Sequence, residues 1–190
     1  MKERIYKGCK REINAKKFNN LKEMINNCKS EFGDEVVYKF KNPETKEHYT
    51  MKYSEFVDEI NALGTALISV GLKDKRIGVI GENRYEWQEA YLSVTCGTGV
   101  VVPLDKALTE SELLSLIERS EIEAIFYSSK YDEMMQKARE EKIGKIKFYI
   151  SMDLEEKKDD VYSEKELINL GKDLIKNGAR SFLDAEIDND

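Results

Sequence analysis

Few residues in this 190-residue chain could carry chemistry by themselves, and their spacing withholds most of the common catalytic arrangements. His48 is the only histidine. A Ser-His-Asp triad or a multi-histidine metal site would have to be built around it. It falls in a stretch patterned as a hairpin strand, so an exposed or edge-strand side chain is expected there. Gly97-Thr98-Gly99 precedes an apolar, valine-rich run. A dinucleotide loop needs the opposite arrangement, with its glycines linking strand to helix so that a pyrophosphate can reach the helix N-terminus. Gly144-Lys145 lacks the upstream glycine and the following Ser/Thr of a P-loop, and no Gly-x-Ser-x-Gly elbow for a serine hydrolase is present. No pair of acidic residues can be singled out by spacing for acid–base work.

What remains lies at the ends of predicted strands. Glu82 and Asn83 follow one such strand, and Asn83 reads most simply as the N-cap of the next helix. Trp87 sits on that helix and reads as an anchor against the sheet. Pro103, Leu104 and Asp105 follow a second strand, at the carboxyl end where α/β folds place ligands; a turn is the competing reading.

The elements that must position these residues are legible from hydrophobic spacing. Between Arg76 and Ser128 the chain reads strand, helix, strand, helix, strand, which specifies a parallel sheet with crossover helices. The predicted strands are 76–80, 99–103, 124–128 and 146–150. Ahead of them, Phe18, Leu21, Ile25, Cys28 and Phe32 step by three and four onto one helix face, closed by Gly33 in a left-handed conformation. Segments 36–40 and 48–53 flank a polar turn holding Pro43 and read as a hairpin.

Ser54 is expected to cap a helix with Phe56, Ile60, Leu63, Leu67 and Val70 inward, ended by Gly71. The helix carrying Trp87 also turns Ala90, Tyr91 and Val94 inward. Thr109-x-x-Glu112 is a capping box in front of Leu113, Leu114, Leu116 and Ile117. A further helix carries Tyr131, Met134, Met135 and Ala138. After a charged loop at 151–160, Ser163-x-x-Glu166 caps a last helix with Leu167, Leu170, Leu174 and Ile175 on one side, stopped at Gly178. The expected architecture is α/β: one doubly wound unit of four parallel strands flanked by helices, preceded by a helix and hairpin. It spans 18–190 behind a basic lead-in at 1–17.

Composition agrees with a highly charged globular protein: 41% hydrophobic, 36% charged, net charge −6. Basic and acidic residues are interspersed, so no positive stripe for nucleic acid stands out. No apolar run approaches the roughly 20 residues of a membrane helix, and the N-terminus lacks the apolar core of a secretory signal. The cysteines, Cys9, Cys28 and Cys96, are odd in number and have no Cys-x-x-Cys spacing. That pattern points to a reducing cytoplasm. Cys28 and Cys96 fall on apolar helix stripes and read as core residues.

Two segments add a family resemblance. YTMKYSEFVDEINALGTALISVGLKDKRIGVIGENRYEW (49–87) carries a Tyr-Ser-Glu-Phe start, a helix to Gly71, a basic turn, a strand and Glu-Asn-x-x-x-Trp. AYLSVTCGTGVVVPLDKALTESEL (90–113) runs from a small-residue turn through Val-Pro-Leu into the next helix. In that order they resemble the N-terminal portion of the adenylate-forming ligases, most closely the long-chain fatty acyl-CoA synthetases. The resemblance covers about Asn19 to Asp190.

It implies a two-step reaction. A carboxylate attacks the α-phosphate of Mg-ATP, giving an acyl-adenylate and pyrophosphate; the coenzyme A thiol then displaces AMP. It also implies a Ser/Thr/Gly-rich loop ending in lysine, a Thr-Glu pair near the metal, an aspartate on the ribose and a lysine on a mobile C-terminal domain. None of these motifs stands in the 190 residues, whose acidic end, FLDAEIDND, resembles the segment leading toward the phosphate loop.

The expectation is therefore a scaffold fragment that is inactive alone and has no catalytic residue, metal site or confidently bound cofactor of its own. Its partner is the remainder of the ligase, and an exposed apolar face would favour self-association. Trp87, Pro103, Leu104 and Asp105 are its candidates for lining an acyl or interface cleft. The competing readings are a stand-alone, non-catalytic binding or scaffold module derived from such a ligase, and an unrelated flavodoxin-like or receiver-like domain.

Overall fold

The computed structural model describes residues 16–41 and 46–187. Pro43, Cys9 and nearly all of the basic lead-in lie outside the described residues. Helix α1 (Leu21–Phe32) leads into a hairpin of β1 (Val36–Lys41) and β2 (His48–Lys52), and α2 (Tyr53–Ser69) follows. The main sheet then builds through β3 (Arg76–Ile80), α3 (Tyr85–Ser93), β4 (Val100–Pro103), α4 (Glu110–Ser120) and β5 (Ala124–Tyr127). It is completed by α5 (Asp132–Glu140), β6 (Phe148–Ser151), β7 (Val161–Ser163) and α6 (Glu164–Lys176).

All four pairings in the sheet are parallel, in the order β4-β3-β5-β6-β7. The fifth strand, β7, corrects the expected four. It has only three residues at the end of the charged loop, too few to show a period. Tyr149 pairs with Val161 across a distance that no local pattern encodes.

Strand alternation divides the core. Ile77, Val79, Ala124, Phe126 and Ile150 face a cluster with Leu63 and Leu67 of α2, Ala90 of α3, and Leu167 and Ile168 of α6. Ile80, Ile125, Tyr127 and Tyr149 face the other way, onto Leu113 and Ile117 of α4 and Met134, Met135 and Ala138 of α5. Because helices cover both faces, β5 is buried at every residue, as expected of a doubly wound sheet.

A third cluster joins Ile25, Phe56, Val57, Ile60 and Cys96 to Phe182, so the segment beyond α6 folds back onto the start of the chain. Lys22 secures that return: its Nζ donates to the carbonyls of Phe182 and Ala185, both at 2.7 Å.

The local helix-end signals hold at some termini and not at others. Glu112 accepts from the Thr109 backbone N–H at 2.8 Å, and Ser163 Oγ accepts from Glu166 N at 3.2 Å. Gly71 and Gly178 have φ of 91° and 94°, the expected left-handed ends. Gly33 does not: its φ is −49°. The chain turns there because the Gly33 and Glu35 carbonyls accept from Ser54 and Tyr53, so α2 dictates the path. Ser54 lies inside α2 and not at its cap, because the Glu55 carboxylate takes the Lys52 backbone N–H and starts the helix two residues earlier.

In α6, Leu170 is 40% exposed, whereas Ile168 and Gly171 are buried. Gly171 packs so closely on α2 that a Cβ there would stand 1.8 Å from the Ala62 carbonyl oxygen. That contact rotates the inward face away from Leu170. Cys28 is only half-buried, so only Cys96 of the pair is a full core residue. Cys96 sits in a π-helical turn, Val94–Thr98, that extends α3.

Candidate functional site

The winding reverses between β3 and β5. Helix α3 carries the chain outward to β4, and α4 returns it past β3 to β5. At such a reversal the loops leaving the two strands part, and their carboxyl ends form the crevice where α/β sheets bind ligands. Loops 81–84, 104–107, 128–131 and 152–155 emerge on this edge.

Arg84 organises it. Its Nε and Nη2 donate to Glu86 at 2.7 and 2.8 Å, and its Nη1 donates to Asp153 Oδ1 at 2.5 Å. The planar guanidinium fork lets one side chain hold one carboxylate with two bonds and reach a second. Asp153 Oδ2 accepts the backbone N–H of Ser129 at 2.7 Å. One ion pair thus links the loops after β3, β5 and β6.

Burial opposes ionisation of Asp153, but the bonds from Arg84 and Ser129 outweigh it and hold its carboxyl below the usual carboxylate range. Glu86 acts most strongly on Arg84 and, against burial and together with Asp153, keeps the guanidinium charged. Farther along, Lys106 Nζ donates to Asn83 Oδ1 at 3.2 Å, and Lys130 stands 4.0 Å from Glu82.

The four residues singled out in sequence do not converge. Trp87 is half-buried against the cluster under α2, α3 and α6, with its ring stacked on Tyr91 at 5.4 Å. Its remaining surface faces an open groove shared with Leu21, Met24 and Leu92. Leu104 is packed into the cluster on the opposite face of the sheet, where it is 8% exposed.

Pro103 and Asp105 are exposed beside it. Asp105 Oδ1 accepts the Ala107 N–H at 2.9 Å, which makes the segment a turn. Asn83 is not the N-cap of α3; Arg84 holds that position, and Asn83 is spent on Lys106. His48 is exposed on β2, as its strand position suggested.

Sequence reasoning missed Arg84 and Asp153, the residues that join the loops. Arg84 lies within the Glu-Asn-x-x-x-Trp segment, and Glu86 two residues on was a usable signal for two of its three hydrogen bonds. Asp153 had none, because the two lie 69 positions apart in a loop read only as charged.

The crevice can brace backbone, but it does not fit a nucleotide phosphate. Its arginine is already committed, and Glu82, Glu86 and Asp153 would face the incoming anion. Among the described residues no group of three or more His, Cys, Asp or Glu is placed to hold a metal. No described helix is long and apolar enough to cross a membrane.

Fold and site together define the class: a doubly wound parallel-sheet unit whose strand-end crevice is bridged by an internal ion pair. The chain belongs to the AMP-binding enzyme family, whose model matches residues 26–181. No curated protein matches it at a significant level.

Among solved structures it is similar to the inhibitor-bound N-terminal domain of FACL13 from Mycobacterium tuberculosis (TM-score 0.65, 17% identity, 80% of this chain and 36% of that one). A long-chain-fatty-acid-CoA ligase, FadD1, from Archaeoglobus fulgidus gives a TM-score of 0.65 at 18% identity, over 80% of this chain and 30% of that one. The A domain of a carboxylic acid reductase from Segniliparus rugosus, solved with AMP and a co-purified carboxylic acid, gives 0.66 at 16% identity, again over 80% and 30%. At these identities the likeness concerns fold. The chain spans about a third of the length of these structures.

Proposed function

We propose that this chain is the N-terminal portion of an ATP-dependent acyl-CoA ligase of fatty acid metabolism. The full reaction joins a fatty acid to coenzyme A with ATP and magnesium, releasing AMP and pyrophosphate. In this reading residues 18–190 are one scaffold unit behind a basic lead-in at 1–17, inactive alone and working in the cytoplasm. The groove beside Trp87 and the Pro103–Asp105 turn border the cleft against the remainder of the ligase, its partner. Exposed apolar residues such as Leu21 and Val100, 36% and 56% accessible, support an unfinished surface that would also favour self-association.

The observation that carries the reading is the family match over 26–181 in a chain without the phosphate loop or the metal-side motifs. Two measurements test it. ATP–pyrophosphate exchange with a long-chain fatty acid is expected to stay at background for the 190-residue chain, and exchange above background would overturn its inactivity. The reading frame past Asp190 is expected to encode a Thr-Ser-Gly-Thr-Thr-Gly-like loop with a following lysine. An immediate stop codon would favour the stand-alone module instead.

A further inference from the structure

Glu89 on α3 and Glu164, the first residue of α6, are 1% and 2% exposed. Glu89 Oε1 and both carboxyl oxygens of Glu164 have no hydrogen-bond partner. Leaving buried acceptors unmatched is costly, and more so when they can ionise. Both residues line a cleft of about 420 Å³ between α2, α3, α6 and the 152–155 loop. Its rim residues Glu155, Lys165, Asn169 and Lys172 are exposed, so the cleft opens to solvent.

The charges facing the pair come from every element around it. They are Glu59 and Glu86 from α2 and α3, Arg84 from the β3–α3 turn, Asp153 and Glu155 from the loop after β6, and Lys165 and Lys172 from α6. Each cation there is already engaged: Arg84 by Glu86 and Asp153, Lys165 by Glu155, and Lys172 by Glu59. Glu89 and Glu164 are the two carboxyl groups left without a positive partner.

We infer that this cleft binds an organic cation with N–H donors, a primary ammonium or a guanidinium, held by Glu89 and Glu164. A divalent metal suits the cleft poorly, since calcium or magnesium needs about six oxygen ligands. Among the described residues no trio of metal-ligating side chains is available. An N–H cation needs only the acceptors that stand unmatched, through charge-assisted bonds.

Without that cation, protons take its place. Burial, then Glu164, pushes Glu89 up to about 10. Burial likewise raises Glu164, with Glu86 the next cause. Cation and proton therefore compete, and binding releases a proton. This site involves neither nucleotide nor acyl substrate, so it stands or falls apart from the ligase reading.

The test is calorimetric titration of the 190-residue chain at constant ionic strength and at pH 6.5 and 8.5. The probes are methylguanidinium, propylammonium, tetramethylammonium and a Gly-Arg-Gly amide peptide. Saturable binding of the two small N–H cations is expected, at least about tenfold tighter at the higher pH and about tenfold weaker in Glu164→Gln. Tetramethylammonium has the same charge and no N–H, and is expected to bind about tenfold more weakly than propylammonium.

Tighter binding of the peptide than of methylguanidinium assigns the cation to a polypeptide side chain; the reverse assigns it to a small free cation. The inference is overturned by the absence of saturable binding, by pH-independent binding, or by equal binding of tetramethylammonium. The last three outcomes are read on the unmodified chain, so they do not depend on how the variant folds.

Discussion

Arg84 Nη1 donates to Asp153 Oδ1 at 2.5 Å while the same guanidinium grips Glu86 with two bonds. Removing Asp153 deprives Arg84 of one carboxylate and Ser129 of its acceptor. Asp153→Ala is expected to lower stability by about 1–3 kcal/mol, as for hydrogen bonds to charged groups, read by urea unfolding at pH 7.

The pH dependence at the same position has a definite sign. The folded-state pKa of Asp153 is lowered, so its contribution is fully present above the unfolded value of about 3.9. It is lost as pH falls through the lower, folded value. The gap between wild type and Asp153→Asn is expected to hold from pH 7 to about 5 and to close toward pH 2.5. A gap that stays constant down to pH 2.5 refutes the ion-pair account.

Glu89 runs the other way. Its folded value is about 10, above an unfolded value of about 4.3. Stability from its neutral form is complete below pH 4.3 and declines as pH rises toward 10, by at most about 1.4 kcal/mol per unit. Glu89→Gln is expected to flatten the fall in unfolding free energy between pH 5 and 8. Parallel slopes for variant and wild type would show that the carboxyl is not held neutral.

Two glycines separate crowding from backbone strain. A Cβ on Gly171 would stand 1.8 Å from the Ala62 carbonyl oxygen, whereas one on Gly71 meets nothing within 4 Å and suffers only from a φ of 91°. Gly171→Ala should force α2 and α6 apart at a cost of about 3 kcal/mol or more. Gly71→Ala should cost about 1–2 kcal/mol. Thermal melts rank the two, and equal losses would argue against close helix contact.

The return of the chain beyond α6 rests on few groups. Phe182 is fully buried, and Phe182→Ala is expected to cost about 3–5 kcal/mol. Lys22→Met leaves two carbonyls without their charged donor. It should speed amide exchange at 183–187 well before β3 and β5 lose protection. Uniform loss across all three regions would mean that this return is not a separate locking element.

Much of the architecture was legible because its signals are local. Thr109 and Glu112, or Ser163 and Glu166, lie within one turn of each other, so the chain between them can bring them together in only a few ways. The face of Phe56, Ile60, Leu63 and Leu67 follows from helical spacing, and all four are buried. Gly33 and Ser54 misled because the hairpin between them binds the two helix ends to each other. The candidate site was less legible. Leu104 read as a strand-end residue and Trp87 as a helix anchor, both candidates for one cleft, yet they belong to opposite faces of the sheet.

By itself the sequence determined the alternation of strands and helices, the parallel sheet it implies, and the motif order of the AMP-binding family. Each depends on residues a few positions apart, where spacing translates directly into a face or a cap. Only the tertiary structure decided that β7 joins the sheet, that Arg84 meets Asp153, and that Glu89 and Glu164 line one cleft. Those pairings depend on which loops and helices come to rest together. That is settled by burying side chains from across the whole chain, and spacing along it carries no record of the outcome.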